Sequence, residues 1–134
     1  MLLRAPSPAL TVTGLAPDLA DLAARGRRVA AGVRTGIHDV HVDPERRWYK
    51  RVHGNDFVDV WLISWATEQA ADLHDHAGSL GALTVVTGRL TEEFWSVPHS
   101  GLRTRTLHAG RSVGFGHGHV HEVANPSADP AVSV

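Results

Sequence analysis

The sequence predicts an all-β domain, an antiparallel sandwich or barrel, preceded by a short helical segment. From Trp48 onward it consists of short runs rich in Val, Leu, Ile, Trp, Phe and Thr, and breaks that contain glycine separate these runs. No helical pattern lies between the runs, which is typical of antiparallel sheets that pack on each other. With 134 residues, 43% of them hydrophobic and 20% charged, the chain fits one domain with a sizeable core.

The helical segment covers about residues 15–35. Apolar residues recur there at spacings of three and four, with Asp and Arg between them. The pair Pro17-Asp18 suits a helix start, and Gly26 is expected to interrupt the helix. No linker separates this segment from the strands, so we expect one domain over residues 1–134.

The β-barrel is expected over about residues 48–134. The predicted strands cover 57–65, 82–86, 89–95, 103–108 and 120–123.

Charge and hydropathy exclude several classes of partner. A net charge of -1 is unlike the basic surface that nucleic acid or an anionic membrane requires. No apolar stretch approaches the roughly 18 residues of a membrane span, and Pro6 breaks the start before a signal-peptide core could form. We therefore expect a soluble cytoplasmic protein, a monomer or weak homo-oligomer, with no nucleic-acid or membrane partner.

The chain has ten histidines and no cysteine, which excludes disulfides, thiolate zinc sites and cysteine nucleophiles. His74 and His76 stand at i and i+2, so on a strand they share one face with Cα atoms roughly 6.6 Å apart. His121 follows a glycine-rich turn in the pattern Gly-x5-Gly-x-Gly-x2-His-x3-Asn, which begins at Gly110 and ends at Asn125. These three histidines are a candidate metal site. The other seven are interpreted as ordinary surface histidines or have no firm role.

The two motifs resemble those of the cupin superfamily, small jelly-roll barrels with a metal inside. The second motif has Gly116 where proline is usual. More narrowly, four segments are similar to the cysteine dioxygenases, and the resemblance covers about residue 49 to the end of the chain. These segments are 74–79, 88–93, 121–125 and 130–134. The resemblance implies an all-β cupin jelly-roll barrel (double-stranded β-helix) with short N-terminal helices.

The resemblance also implies an Fe(II) site held by His74, His76 and His121. Many metal-binding cupins place a glutamate shortly after the first two histidines, but Gly81 stands there in this chain. Glu92 lies beyond the next glycine turn, and we do not expect it among the ligands. Three imidazoles leave three positions of an octahedral iron open for a thiol substrate and O2. From the ligands alone, zinc remains an alternative.

Two further residues are implied to bind the substrate. Tyr49 and Arg51 match the family's Tyr-x-Arg segment, in which the arginine binds the carboxylate of cysteine. An arginine suits a carboxylate because its planar fork pairs with both oxygens. From charge alone, Arg51 would be interpreted as part of a run of basic residues exposed to solvent, and the resemblance reverses that interpretation. Relatives that oxidise 3-mercaptopropionate lack this arginine, so Arg51 favours cysteine.

The sequence departs from the family at two places. Gly81 stands where animal members carry a cysteine that crosslinks to a tyrosine, so the crosslink cannot form, which suggests a bacterial type. The family's pocket His-x-Tyr and a final strand would follow Val134 and are expected to lie outside this sequence. The residues that assist the O2 chemistry are therefore unassigned.

Three functions remain open at this point. The first is oxidation of L-cysteine to cysteine sulfinic acid by an iron-dependent thiol dioxygenase. The second is dioxygenation of another small thiol, such as 3-mercaptopropionate or cysteamine. The third is a non-catalytic cupin that binds a metal or a small acid.

Overall fold

The computed structural model describes residues 17–76 and 78–134, so positions 15 and 16 of the predicted helical segment lie outside the described residues. The described part contains helix α1 (Leu19–Arg34) and nine β-strands. A short 3₁₀ turn, Val97–His99, follows the fifth strand. The strands are β1 (Tyr49–Gly54), β2 (Asp59–Trp65), β3 (Ala70–His74), β4 (Gly81–Thr87), β5 (Arg89–Ser96), β6 (Gly101–His108), β7 (Ser112–Phe115), β8 (His121–Ala124) and β9 (Ala131–Ser133).

The strands form two antiparallel sheets. One has the order β1-β2-β9-β4-β7 and the other the order β3-β8-β5-β6. This confirms the predicted all-β fold, although one α-helix, rather than several, precedes the strands in the described residues. The five predicted runs correspond to β2, β4, β5, β6 and β8, with shifts of one or two residues at their ends.

The main core lies between the two sheets, because both contribute side chains to it. Trp65 on β2 and Phe115 on β7 meet Leu90 on β5 and Val123 on β8 in one buried cluster. The indole Nε1 of Trp65 donates a hydrogen bond of 2.9 Å to Ser133 Oγ, so its buried polar atom is satisfied. Phe115 of this core also contacts the rings of His76 and His121.

Helix α1 covers the outer face of the five-stranded sheet. Asp18 caps it, accepting from the backbone N–H of Asp21 in a capping box. Ala30 of the helix packs against a second buried cluster with Leu62 and Val132 on the sheet. Burial of this apolar face on the sheet stabilises the helix more than its own propensity does.

The expected interruption at Gly26 is wrong, since α1 runs unbroken through it. Gly26 is buried, and a Cβ atom there would lie 2.6 Å from Oγ1 of Thr84 on β4. The glycine therefore permits a close approach between helix and sheet, and tertiary packing outweighs its low helix propensity.

In the part of the chain that the structure describes, no helix is both long enough and apolar enough to cross a membrane.

Candidate metal centre

Strand pairing brings two of the three predicted ligands together. His74 is the last residue of β3, and it lies directly opposite His121, the first residue of β8. His76 was expected on the same strand as His74, and this is wrong because β3 ends at His74. The chain leaves the sheet there, and His76 reaches the same place from the following loop.

The three imidazoles nevertheless converge. The Nε2 atoms of His76 and His121 are 2.9 Å apart. Their ring centroids are 5.0 Å apart, and the ring of His74 lies 5.0 Å from that of His76 and 4.7 Å from that of His121. One nitrogen from each ring lies within 4.8 Å of the other two. His121 is buried, and the other two rings are half-buried.

This donor set fits a transition-metal ion. Two nitrogens bound at right angles, each about 2.1 Å from a metal, would be about 3 Å apart, close to the separation between His76 and His121. Burial lowers the pKa of His76, and the neighbouring rings of His121, His74 and His119 lower it further. A lowered pKa favours the neutral imidazole, which is the form that binds metals.

His74 is oriented by its own strand. Its Nδ1 lies 2.6 Å from the backbone carbonyl oxygen of Asp72. A carbonyl can only accept, so Nδ1 carries the hydrogen and Nε2 keeps its lone pair. This nitrogen is then available to a metal ion.

Phe115 explains why residue 81 is glycine. Its ring occupies the space where a Cβ on Gly81 would lie. The same ring stacks on His76, with centroids 4.8 Å apart and planes 28° apart. A cysteine or glutamate at position 81 would collide with this ring, so Phe115 replaces a side chain there and supports a ligand from one side.

A buried carboxylate lies on the far side of His121. Glu92 on β5 is fully buried, and its Oε1 lies 3.5 Å from Nδ1 of His121. That separation is longer than an ordinary N–H···O hydrogen bond, and Nδ1 has no closer partner among the described residues. Glu92 therefore contacts the ring nitrogen of His121 other than Nε2, and Nε2 is the one that approaches His76.

Two further groups hold Glu92. Arg105 on β6 donates to both carboxylate oxygens, at 3.1 and 3.2 Å, and Nε2 of His119 lies 2.9 Å from Oε1. Burial alone would raise the pKa of Glu92. Interactions with His121, His119 and Arg105 outweigh burial and lower the pKa from its ordinary 4.5 to about 2. Glu92 is thus an ionised carboxylate inside the domain.

The sequence predicted no such role for Glu92 and none for His119. Glu92, His119 and His121 form a second close group, with one ligand atom from each within 4.8 Å of the others. Glu92 was not expected among the ligands, and it lies outside the group of His74, His76 and His121, but its carboxylate contacts His121. The alternation of Leu90, Glu92 and Phe94 along one strand could have revealed an acidic side chain that points inward.

Asn125, the last residue of the second motif, fixes the turn after His121. Its fully buried side chain donates to the backbone carbonyls of Trp65 and Asp129, at 2.9 and 2.8 Å. Its Oδ1 accepts from the backbone N–H of Ser127. These bonds anchor the end of β8 and so hold the strand that carries His121.

The histidines line an open cavity of about 1160 Å³. Apolar side chains make up part of its wall, among them Trp61, Ile63 and Trp65. A cavity that joins a few polar groups to apolar walls is typical of small-molecule sites.

The predicted substrate residues lie on strand β1. Arg51 is half exposed and pairs with Asp59, with 2.5 Å between guanidinium nitrogen and carboxylate oxygen. Asp59 itself lines the cavity. Tyr49 shares the strand face of Arg51, and its exposed ring meets Trp61 edge-on at 5.8 Å. Arg51 and Tyr49 each contact a residue that lines the cavity but are not themselves among its lining residues, and their roles stay predictions.

Solved structures share the fold of this chain. A protein from Thermus thermophilus has a TM-score of 0.62 and 22% identity, covering 71% of this chain and 85% of that chain. A conserved protein with a double-stranded β-helix domain from Klebsiella pneumoniae has a TM-score of 0.60 and 18% identity, covering 70% and 77%. A cupin superfamily protein from Desulfitobacterium hafniense has a TM-score of 0.58 and 12% identity, covering 70% and 80%. The described residues therefore have the cupin fold, a double-stranded β-helix.

The sequence narrows this class to one family. The model of the family "Cysteine dioxygenase type I" matches residues 37–134. The chain belongs to the cysteine dioxygenase type I family, which confirms the resemblance. No curated protein matches the chain. Family and fold, with three histidines that could bind a metal, indicate a metal-dependent enzyme that acts on a small molecule with O2.

Proposed function

We propose that this protein is an iron-dependent thiol dioxygenase that oxidises L-cysteine with O2 to cysteine sulfinic acid. The convergence of His74, His76 and His121 in a chain of this family carries the proposal. The reaction forms two S–O bonds and breaks the O–O bond, and it needs no external reductant. When bound, iron supplies the redox chemistry that this reaction requires.

The residues of the chain would divide the remaining work. His74, His76 and His121 would hold Fe(II) as neutral imidazoles, so that the substrate thiolate supplies negative charge. Arg51 would bind the substrate carboxylate by exchanging its present partner, Asp59. This exchange costs little because an exposed ion pair contributes at most about 1 kcal/mol. Tyr49, on the same face, would contribute a hydroxyl beside the carboxylate.

Loading the full chain with Fe(II) under anaerobic conditions, and then adding O2 and a thiol, tests the function. We expect L-cysteine to support O2 uptake and sulfinate formation in equal amounts. Faster O2 uptake with 3-mercaptopropionate or cysteamine would identify that thiol, rather than cysteine, as the substrate. Stoichiometric iron binding without sulfinate from any of these thiols would contradict the proposal and favour a non-catalytic cupin.

Replacing Arg51 with glutamine tests its assignment to the carboxylate. We expect KM for cysteine to rise about 10- to 100-fold, since a charge-assisted hydrogen bond contributes about 1.5–3 kcal/mol. Iron content should stay unchanged, because Arg51 is not one of the candidate metal ligands.

Lys50→Gln is the matched control, because it removes a positive charge from the adjacent, exposed position of β1. Its KM should stay within about twofold of the parent value. An unchanged KM in Arg51→Gln, or an equal rise in Lys50→Gln, would remove Arg51 from the substrate site.

A further inference from the structure

His121 presents its two ring nitrogens to different surroundings. Nε2 lies 2.9 Å from Nε2 of His76, and Nδ1 lies 3.5 Å from the carboxylate of Glu92. A neutral imidazole carries one hydrogen, and only the nitrogen without it can bind a metal ion. The group beside Nδ1 therefore decides whether Nε2 is free to bind.

Glu92 is suited to hold that hydrogen on Nδ1. An ionised carboxylate only accepts hydrogen bonds, so it favours a ring that donates from Nδ1. Its orientation is fixed because Arg105 donates to both oxygens from the adjacent strand. Metal-binding histidines commonly donate their other N–H to such a carboxylate, which sets both ring form and orientation.

Glu92 is less suited to be a ligand itself. The guanidinium of Arg105 already occupies both oxygens and lies over the ring of Phe94, 4.7 Å from its centroid. A metal ion on Glu92 and His119 would compete with this fixed positive charge. The geometry favours contact through His121 over direct ligation.

We infer that Glu92, held by Arg105, is a positioning residue that keeps the hydrogen of His121 on Nδ1 and so presents Nε2 to the metal. The inference rests on the metal centre of the proposed function and does not depend on the thiol substrate. His119 shares the same carboxylate oxygen, so it competes with His121 for Glu92.

Glu92→Gln tests this inference, because a glutamine keeps the shape but replaces one acceptor oxygen with a donor. In one orientation of the amide, its NH2 group faces the two histidines in place of an acceptor oxygen. In the other orientation it faces Arg105, which is also a donor. The matched control is Glu93→Gln, one residue along β5, where the side chain points to the opposite face. Glu92→Asp keeps the carboxylate but withdraws it by one methylene.

Two measurements are made on the full chain. Titration of the metal-free protein with Co(II) gives the affinity, and ¹⁵N–¹H correlation spectra of the metal-free protein show which nitrogen of His121 carries the hydrogen. We expect Glu92→Gln to weaken Co(II) binding about 10- to 100-fold and to move hydrogen from Nδ1 to Nε2. Glu93→Gln should stay within about twofold and keep the parent ring form. If Glu92→Gln does not fold, Glu92→Asp should show weaker binding with Nδ1 still protonated.

Two results would overturn the inference. One is a Co(II) affinity of Glu92→Gln equal to that of Glu93→Gln. The other is a loss of affinity with an unchanged ring form in the metal-free protein, which would indicate direct ligation or a purely structural role. If the variants bind Co(II) as expected but the parent protein forms no sulfinate, the proposed function is contradicted and this inference is still supported.

Discussion

Replacing His121 with alanine is expected to abolish stoichiometric binding of Fe(II), and with it any sulfinate formation. His121 is the common member of the two histidine groups, and its buried ring lies between His74, His76 and His119. Structural metal sites in small domains bind with about 10–16 kcal/mol from three or four ligands, so one ligand accounts for about 3 kcal/mol or more. The two remaining imidazoles should therefore bind Fe(II) at least about 100-fold more weakly than the parent protein does.

Metal analysis and calorimetric titration of the variant check this result. His53→Ala is the matched control, because His53 is exposed on β1 and belongs to neither histidine group. It should bind one metal per chain as the parent does. Circular dichroism of both variants confirms that they fold. One tightly bound iron per chain in folded His121→Ala would mean that the metal lies elsewhere.

The strands that sequence reasoning located are those with a strong local pattern. The runs at 82–86, 89–95 and 103–108 carry enough β-branched and aromatic residues to indicate strands β4, β5 and β6. Strand β9 has three residues and is held between β2 and β4 by pairing with distant segments. Such a strand depends on its neighbours more than on its own sequence, so local patterns do not reveal it.

The same limit applies to the candidate site. The close spacing of His74 and His76 and the glycine turn before His121 are local signals, and they indicated the three histidines together. The contacts of Glu92 depend on which residues face it across two strand pairs. Register places Arg105 opposite Glu92 on β6, and His121 opposite Phe94 on β8. Neither partner can be deduced from spacing along the chain.

Replacing Arg105 with glutamine is expected to destabilise the metal-free protein by about 3 kcal/mol at pH 7. The variant leaves the fully buried carboxylate of Glu92 without its cation, and removing one partner of a buried pair costs about 3–5 kcal/mol. Arg105 is about one-third exposed, so water can partly replace it and the lower end applies.

The pH dependence identifies the cause. In the parent protein the pKa of Glu92 is lowered from 4.5 to about 2, so its ionised form stabilises the fold above pH 4.5. One pKa unit corresponds to about one to two kcal/mol, so this contribution is about 3 kcal/mol. It is lost as the pH falls from 4.5 towards 2. Loss of the guanidinium should raise the pKa of Glu92 in the variant. The stability difference between parent and variant should therefore narrow between pH 7 and pH 3.

Urea unfolding of both proteins at pH 7 and pH 3 measures this difference. Arg103→Gln is the control, because it removes the same charge from the protein. Arg103 is exposed and lies two residues before Arg105 on β6. Its effect should be within about 0.5 kcal/mol at both pH values. A cost of Arg105→Gln that is equal at pH 7 and pH 3 would show that Arg105 stabilises the domain through packing on Phe94 rather than through the charge of Glu92. In that case Glu92 would need another source of fixed orientation, and its action on His121 would lose its physical basis.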